Sequence, residues 1–378
     1  MCGLVGLYQK EGEALQRIFD GLIQVQHRGQ DAGGICTLQS SKINTHKELG
    51  LISEIFRNID INILKGNIGI GHVRYPTAGT DNVNEAQPFH TTNPINIALA
   101  HNGTLTNSDE IKTKLKKLNF CQFNTNSDSE VLLNLLSYEL FKTNKNEFSN
   151  TDILDVLKRI FNQCQGGYAV VALISGIGLV AFRDPNGIRP LALGKNHNGS
   201  YLLASESSAI TSLGFEVLKD VKPGEAIIIN LDGSVEEKHL IKDMQHTPCL
   251  FEYVYFSRPD STIDSISVHK SRLRMGDYLG DRILGEYKSL KIDVVIPIPD
   301  TSRTSAMQVA HKVGAKYREG FMKNRYIGRT FIMPGQSARK KSVAQKLNPI
   351  EIEFKGKNVL LVDDSIVRGH TSIKIIQM

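Results

Sequence analysis

Apolar residues recur along this chain with two periods, and the switches between them predict its elements. Leu15, Ile18, Phe19, Leu22 and Ile23 share one face of a helix, as do Ile153, Val156, Leu157, Ile160 and Phe161. Val131, Leu132, Leu135 and Leu136 continue that spacing behind Ser127-Asp128-Ser129-Glu130, which predicts a helix opened by a capping box. Shorter apolar runs predict strands at Ile68 to Val73, Tyr168 to Ile174, Tyr201 to Ala204 and Ala226 to Leu231, with turns between them. The run from Ile97 predicts another strand ending at Asn102-Gly103, a dipeptide that is itself a strong hairpin-turn signal. Polar Lys142 to Asn150 is a surface loop, and Asp243 to Pro248 breaks the pattern. That break places a domain boundary between about Leu240 and Phe251, with one domain over 2–245 and a second over 250–378.

The second domain ends in the most informative stretch, the apolar strand Val359 to Val362 followed by Asp363, Asp364, Ser365, Ile366, Val367, Arg368, Gly369, His370, Thr371 and Ser372. Ligands of open parallel sheets bind beyond the carboxyl ends of such strands. Two carboxylates there can accept hydrogen bonds from ribose hydroxyls and, with magnesium, hold a pyrophosphate that the site would otherwise repel. Hydroxyls and backbone N–H groups of the loop, with the positive end of the next helix, suit a phosphate. The plain alternative is a strand-to-helix loop whose Asp and Ser cap the helix. Ile292 to Ile298 is a second apolar strand, entering Pro299-Asp300-Thr301-Ser302. Between the two lies a basic stretch from Lys323 to Arg329 and on to Arg339-Lys340-Lys341, read as a mobile flap closing over a polyanion in preference to a nucleic-acid patch.

The N-terminal domain carries a different chemistry. Cys2 follows the initiator Met, which is usually removable before a small side chain, leaving thiol and α-amine on one residue. An α-amine with pKa ~7.7–8.0 can take the proton of a thiol near 8.5, directly or through water. Arg74, at the end of the strand entering Tyr75-Pro76-Thr77-Ala78-Gly79, can grip a carboxylate bidentately. The Asn102 amide and Gly103 N–H can form an oxyanion hole. Each string alone has a structural reading: a buried cysteine, a turn, or, for Asp128, dipole decoration at a helix start.

Together these residues resemble the class II (Ntn) glutamine amidotransferases. The resemblance makes Cys2 the nucleophile, assigns Asn102 and Gly103 to the oxyanion, and gives Arg74 and Asp128 the α-carboxylate and α-ammonium of glutamine. Gln26-His27-Arg28-Gly29-Gln30-Asp31 also matches, with Arg28 ordering the glutamine pocket. The loops after Ile298 and Val362 resemble those of type I phosphoribosyltransferases. With Phe182 to Pro190 and Phe251 to Ser261, the match extends over the whole chain to the family joining both domains. It implies an Ntn αββα sandwich followed by a parallel-sheet α/β transferase domain. The implied reaction opens purine biosynthesis: phosphoribosyl pyrophosphate, glutamine and water give phosphoribosylamine, glutamate and pyrophosphate, with ammonia passed between sites. Lys323, Asp363, Asp364, Ser365, Val367, Arg368, Gly369 and Thr371 would bind phosphoribosyl pyrophosphate, and Thr301, Asp363 and Asp364 the magnesium. Purine nucleotides as feedback inhibitors and a homo-oligomer, dimer or tetramer, are further implications. Family members continue for roughly another hundred residues, so the transferase domain is expected to be incomplete; the rival reading is a glutaminase alone, or a non-catalytic phosphoribosyl pyrophosphate binder.

Composition refines this picture only slightly. With 378 residues, 40% of them hydrophobic, the chain can bury two cores. Its net charge of +6 suits anionic substrates at least as well as nucleic acid. No apolar run approaches the ~20 residues of a membrane span, and no secretory signal is seen, so a cytoplasmic enzyme is expected. Cys2, Cys36, Cys121, Cys164 and Cys249 show no Cys-x-x-Cys spacing, which speaks against zinc or a disulfide framework. Cys249 stands where some relatives ligate an iron-sulfur cluster, but it also occurs in cluster-free relatives, so that cofactor stays open.

Overall fold

The computed structural model describes residues 2–75, 82–242, 244–324, 347–366 and 369–378, with backbone only at His370 and Thr371. These residues fall into two compact units: Met1–Cys249 with the strap Ser261–Ser265, and Leu250–Asp260 with Ile266–Met378. Pro76 to Gly79, Asp243, the flap from Arg325 to Lys341, Val367 and Arg368 lie outside the described residues, as does the Thr371 side chain.

In the first unit, thirteen strands among the described residues pair antiparallel. They are β1 (Gly3–Tyr8), β2 (Ala32–Gln39), β3 (Lys42–Leu49), β4 (Ile68–Arg74), β5 (Phe89–Thr91), β6 (Ile97–Leu105), β7 (Gly166–Ile174), β8 (Gly178–Arg183), β9 (Ala192–Lys195), β10 (Tyr201–Ala204), β11 (Glu216–Asp220), β12 (Glu225–Asn230) and β13 (Val235–His239). One sheet has the order β11-β9-β10-β1-β4-β2-β3 and the other β13-β12-β8-β7-β6-β5. Side chains alternate across each strand, so a strand apolar at every position is buried on both faces. Strand β7 does this: Ala169, Val171 and Leu173 join Leu4, Ile68 and Ile70 between the sheets, while Tyr168, Val170 and Ala172 face the other way. There they meet α2 (Asp128–Phe141) and α3 (Asn150–Gln163) through Leu132, Leu136, Leu157 and Phe161. Helix α1 (Leu15–Gln24) covers the outer face of the first sheet, its Ile18 and Leu22 against Val5, Leu7 and Ile35. Two sheets between two helix layers are thus the direct result of where the apolar positions fall.

Two local expectations differ. Strand β6 does not end in a turn at Asn102-Gly103; it runs on to Leu105, with Gly103 opposite Tyr168 in β7. A Cβ on Gly103 would stand 2.1 Å from the Gly167 carbonyl oxygen, so the glycine serves a close approach of strands. The capping box of α2 is also absent. Ser127 caps the helix by accepting from the Ser129 N–H, but the Glu130 carboxylate takes the N–H groups of Asn124 and Thr125 at 2.9 and 2.8 Å. The preceding loop offers it two donors, where the box offers one.

In the second unit, β14 (Val294–Pro297) lies between β15 (Lys316–Tyr317) and β16 (Val359–Val362), all parallel. Helix α4 (Arg303–Val313) links β14 to β15 and packs Ala306, Val309 and Ala310 on Val295 and Val362. Ile296 and Ile298 cover the opposite face with Phe321 and Ile375. The register sets Pro297 beside Val362, so the loops leaving β14 and β16 emerge side by side at the carboxyl edge of the sheet.

Candidate active sites

Cys2 is held at the start of β1 by both ends of its backbone. Its N–H donates to Asn102 Oδ1 at 3.0 Å, and its carbonyl accepts from Arg28 Nε at 3.0 Å. The thiol Sγ lies 3.8 Å from the Tyr75 carbonyl oxygen at the end of β4. Asn102 is completely buried, and with its oxygen committed to Cys2 its Nδ2 has no hydrogen-bond partner among the described residues. A buried amide donor left without an acceptor is unfavourable by about 1–3 kcal/mol, unless a ligand supplies one.

Arg28 is fully buried, and beyond Cys2 its guanidinium meets Glu206 at 2.7 Å. Arg74, also buried, is paired with Glu85 at 2.5 Å. Gly29 joins these two arginines because a Cβ there would fall 2.4 Å from the Arg74 carbonyl carbon. Asp128 accepts from the Leu105 N–H at 2.9 Å, tying the first residue of α2 to the end of β6. His101, beside Asn102, has its pKa lowered mainly by burial, although Asp128 opposes this, and its Nδ1 is 3.0 Å from Ser129 Oγ. Neutral His101 thus fills the space below the strand without adding charge. A cavity of about 330 Å³ opens beside Glu85, lined also by Asn82, Lys112, Phe123, Thr125 and Asn126. The structure therefore joins Cys2 directly to Arg28 and Asn102, with Gly103 next along β6, while Arg74 ends β4 and Asp128 starts α2.

The string Phe182 to Pro190 folds over the back of this site. Asp184 accepts from the N–H groups of Tyr168, Asn186, Ile188 and Arg189 at 3.0–3.1 Å, and Ile188 packs on Gly167 beside Gly103. Sequence reading missed Glu85 and Glu206. Glu206 did carry a signal: it is the only Asp, Glu, Lys or Arg between Lys195 and Glu216.

At the second unit's sheet edge, Thr301 Oγ1 donates to Asp364 Oδ2 at 2.5 Å, joining the two loops. Asp364 N–H donates to Asp363 Oδ1 at 2.9 Å, and Ser365 Oγ to Asp364 Oδ1 at 2.7 Å. Lys323, in a strand (Phe321–Lys323) of this unit, forms an ion pair with Asp300 of the first loop. Gly369 takes a left-handed conformation, φ +69°, and caps the helix His370–Gln377. Burial, and then the neighbouring Asp364 charge, push Asp363 up to about 6. Among the described residues no three acidic, His or Cys side chains cluster as a complete metal cage. Two carboxylates and a hydroxyl do fit magnesium, which is commonly held by one or two carboxylates together with substrate phosphate oxygens.

A raised carboxylate pKa means that the folded state binds more protons than the unfolded one between about pH 4 and 6, so stability falls as pH rises through that window. Asp363→Asn removes the penalty. Without substrate or divalent cation, it should raise the melting temperature by a few degrees at pH 7.5 and leave it unchanged near pH 4. Calorimetry at both pH values in a chelator checks this; an unchanged or lower melting temperature at pH 7.5 overturns it.

Comparison with known proteins now decides the family. Residues 72–212 match a glutamine amidotransferase domain. An amidophosphoribosyltransferase of Pseudomonas aeruginosa is 53% identical over 381 residues, covering 100% of this chain and 76% of that protein. Among solved structures, an allosteric regulatory enzyme of purine biosynthesis superposes with a TM-score of 0.86 at 38% identity, over 100% of this chain and 77% of the other. A glutamine phosphoribosylpyrophosphate amidotransferase from B. subtilis, complexed with ADP and GMP, gives a TM-score of 0.85 at 38% identity, over 100% and 78%. The chain belongs to the amidophosphoribosyltransferase family. Its fold is accordingly an Ntn amidotransferase sandwich with a phosphoribosyltransferase sheet, as the motifs implied. An amidophosphoribosyltransferase is a glutamine-dependent enzyme of purine biosynthesis, and similarity through both units disfavours a glutaminase alone.

Proposed function

We propose that glutamine is hydrolysed at Cys2 and that its ammonia is consumed at the loops after β14 and β16. The orphaned Asn102 Nδ2 beside Cys2 carries the first half of this reading. With Met1 removed, the Cys2 amine takes the thiol proton and the sulfur attacks the glutamine amide carbon. Negative charge then grows on the amide oxygen, where Asn102 Nδ2 and the Gly103 N–H receive it. Collapse of the tetrahedral intermediate releases ammonia, and water hydrolyses the thioester to glutamate. Arg74 holds the substrate α-carboxylate, Asp128 the α-ammonium, and Arg28 orders the pocket through Cys2. Asn102→Ala should lower kcat for glutamine hydrolysis by about 10²–10³-fold, the scale of an oxyanion donor. Steady-state glutaminase assays check it, and a loss confined to KM overturns the assignment.

In the second half ammonia attacks the anomeric carbon of phosphoribosyl pyrophosphate and pyrophosphate leaves. The joined loops suit this: Asp363 and Asp364 accept the ribose hydroxyls, and Ser365, Val367, Arg368, Gly369 and Thr371 surround the 5′-phosphate. Thr301 and Lys323 lie on the pyrophosphate side. Magnesium, held by Thr301, Asp363 and Asp364 with the substrate's oxygens, would supply the positive charge that makes pyrophosphate a competent leaving group. Purine nucleotides are the proposed feedback inhibitors, a reading supported by the ADP and GMP in the B. subtilis complex. A homo-oligomer and a cytoplasmic location complete the proposal. Buried free thiols at Cys36 and Cys164 suit a reducing compartment, and among the described residues no helix is long and apolar enough to cross a membrane. No nucleic-acid partner is invoked.

The test is pyrophosphate release from phosphoribosyl pyrophosphate and magnesium, with glutamine in one reaction and a concentrated ammonium salt in another. Release with each of the two donors supports both halves, and release with ammonium alone supports only the second. Glutaminase activity without release under either condition overturns the second.

A further inference from the structure

Ser205 and Glu206 form the turn between β10 and a short helix (Ser207–Ser212) that Ser207 and Ser208 open, and all four side chains are hydrogen-bonded within the first unit. Ser205 Oγ accepts from the Leu4 N–H at 2.9 Å, two residues from Cys2. Ser207 Oγ accepts from the Thr262 N–H at 2.8 Å, and Ser208 Oγ lies 2.8 Å from Ser261 Oγ. Glu206 stands at the centre with a side chain of 0% exposure. Its Oε1 is 2.7 Å from both Arg28 Nη1 and His27 Nε2, and its Oε2 lies 2.9 Å from Ser261 Oγ and 3.4 Å from Ser208 Oγ. Oε1 of this buried carboxylate thus accepts from Arg28 beside the His27 ring, and Oε2 faces the Ser261 and Ser208 hydroxyls.

An ion pair this deep is weak evidence for stability, because desolvating both charges offsets much of their attraction. Its geometric effect is definite. Arg28 has one nitrogen on the Cys2 carbonyl and another on Glu206, and its own charge is compensated there. The opposite end of the Cys2 backbone is held by Asn102, the residue that also offers the oxyanion donor. Where nucleophile and general base are both on Cys2, the orientation of that one backbone sets thiol, amine and substrate carbonyl together. The carboxylate that fixes Arg28 therefore fixes the reacting atoms.

We propose that Glu206 is a positioning residue for glutamine hydrolysis, acting through Arg28 on the Cys2 backbone, and that Ser261 of the strap Ser261–Ser265 helps hold its carboxylate. This rests on the reading of Cys2 as nucleophile. Substrate affinity is expected to depend on Arg74 and Asp128, whereas Glu206 acts on the Cys2 backbone through Arg28, so the effect should fall on kcat rather than KM.

The experiment compares wild type, Glu206→Gln, Glu206→Asp and Cys2→Ala in glutamine hydrolysis, with rates normalised to thiol-titrated Cys2 and folding monitored by circular dichroism. Glu206→Gln keeps shape but removes charge, and kcat should fall roughly 10²-fold, the loss associated with a misplacement of about 1 Å, while KM stays within about threefold. Glu206→Asp restores the charge and should recover part of the loss. Wild-type kcat in folded Glu206→Gln overturns the proposal. So does a fall explained wholly by loss of folded protein, or one carried by KM. Wild-type activity that survives in Cys2→Ala would instead overturn the reading of Cys2, a separate result from the failure of Glu206.

Discussion

Cys2→Ala should abolish glutamine-dependent formation of phosphoribosylamine, by about 10⁴-fold or more, and leave ammonium-dependent synthesis within about twofold of wild type. The first half follows from chemistry, since no other side chain in the site can form the thioester. The second follows from the separation of the two sets of contacts. Cys2 is bonded to Asn102, Arg28 and Tyr75, all in the first unit, whereas Thr301, Asp363 and Asp364 bond among themselves in the second. Alanine also suits the site: Cys2 is buried and small, and its backbone bonds remain available. Parallel assays of pyrophosphate release with glutamine and with ammonium at mildly alkaline pH, where more of the nitrogen is free ammonia, check both halves. Equal loss of the two activities would count against separable sites.

What could be read from sequence follows the range of the interactions. Strand β7 was legible because a run that is apolar at consecutive positions is buried on two faces, and Leu15 to Ile23 was legible because its stripe repeats at helical spacing. The acidic pair could be read because an apolar strand and its loop are contiguous in sequence. Local signals failed where a distant partner prevailed. Asn102-Gly103 has turn chemistry, but Gly103 is drawn into the ladder opposite Tyr168, 65 residues later by sequence number. Ser127 and Glu130 have capping-box spacing, yet Glu130 finds better donors at Asn124 and Thr125. Glu206 is 178 residues from Arg28, and no pattern of periodicity links such positions. Only its isolation in an otherwise uncharged stretch marks it, consistent with a charge retained for one buried partner.

The double substitution Asp363→Asn, Asp364→Asn should remove synthesis from both nitrogen donors, by at least about 10³-fold, while glutamine hydrolysis by Cys2 persists. Asparagine preserves size and can still accept the Thr301 hydroxyl, so the joined loops keep a bond equivalent to the 2.5 Å contact. What disappears is negative charge at the carboxyl edge of the parallel sheet, and with it the proposed hold on magnesium and the proposed acceptors for ribose hydroxyls. The structure makes the same carboxylate a liability in the empty protein, since burial and Asp364 hold Asp363 up to about 6. Stability and activity should therefore move in opposite directions: Asp363→Asn melts higher at pH 7.5 in chelator, yet impairs synthesis. A carboxylate retained for packing would move both downward together. Pyrophosphate assays and calorimetry on the same preparations separate these cases, and unchanged synthesis in the double variant would remove Asp363 and Asp364 from the site.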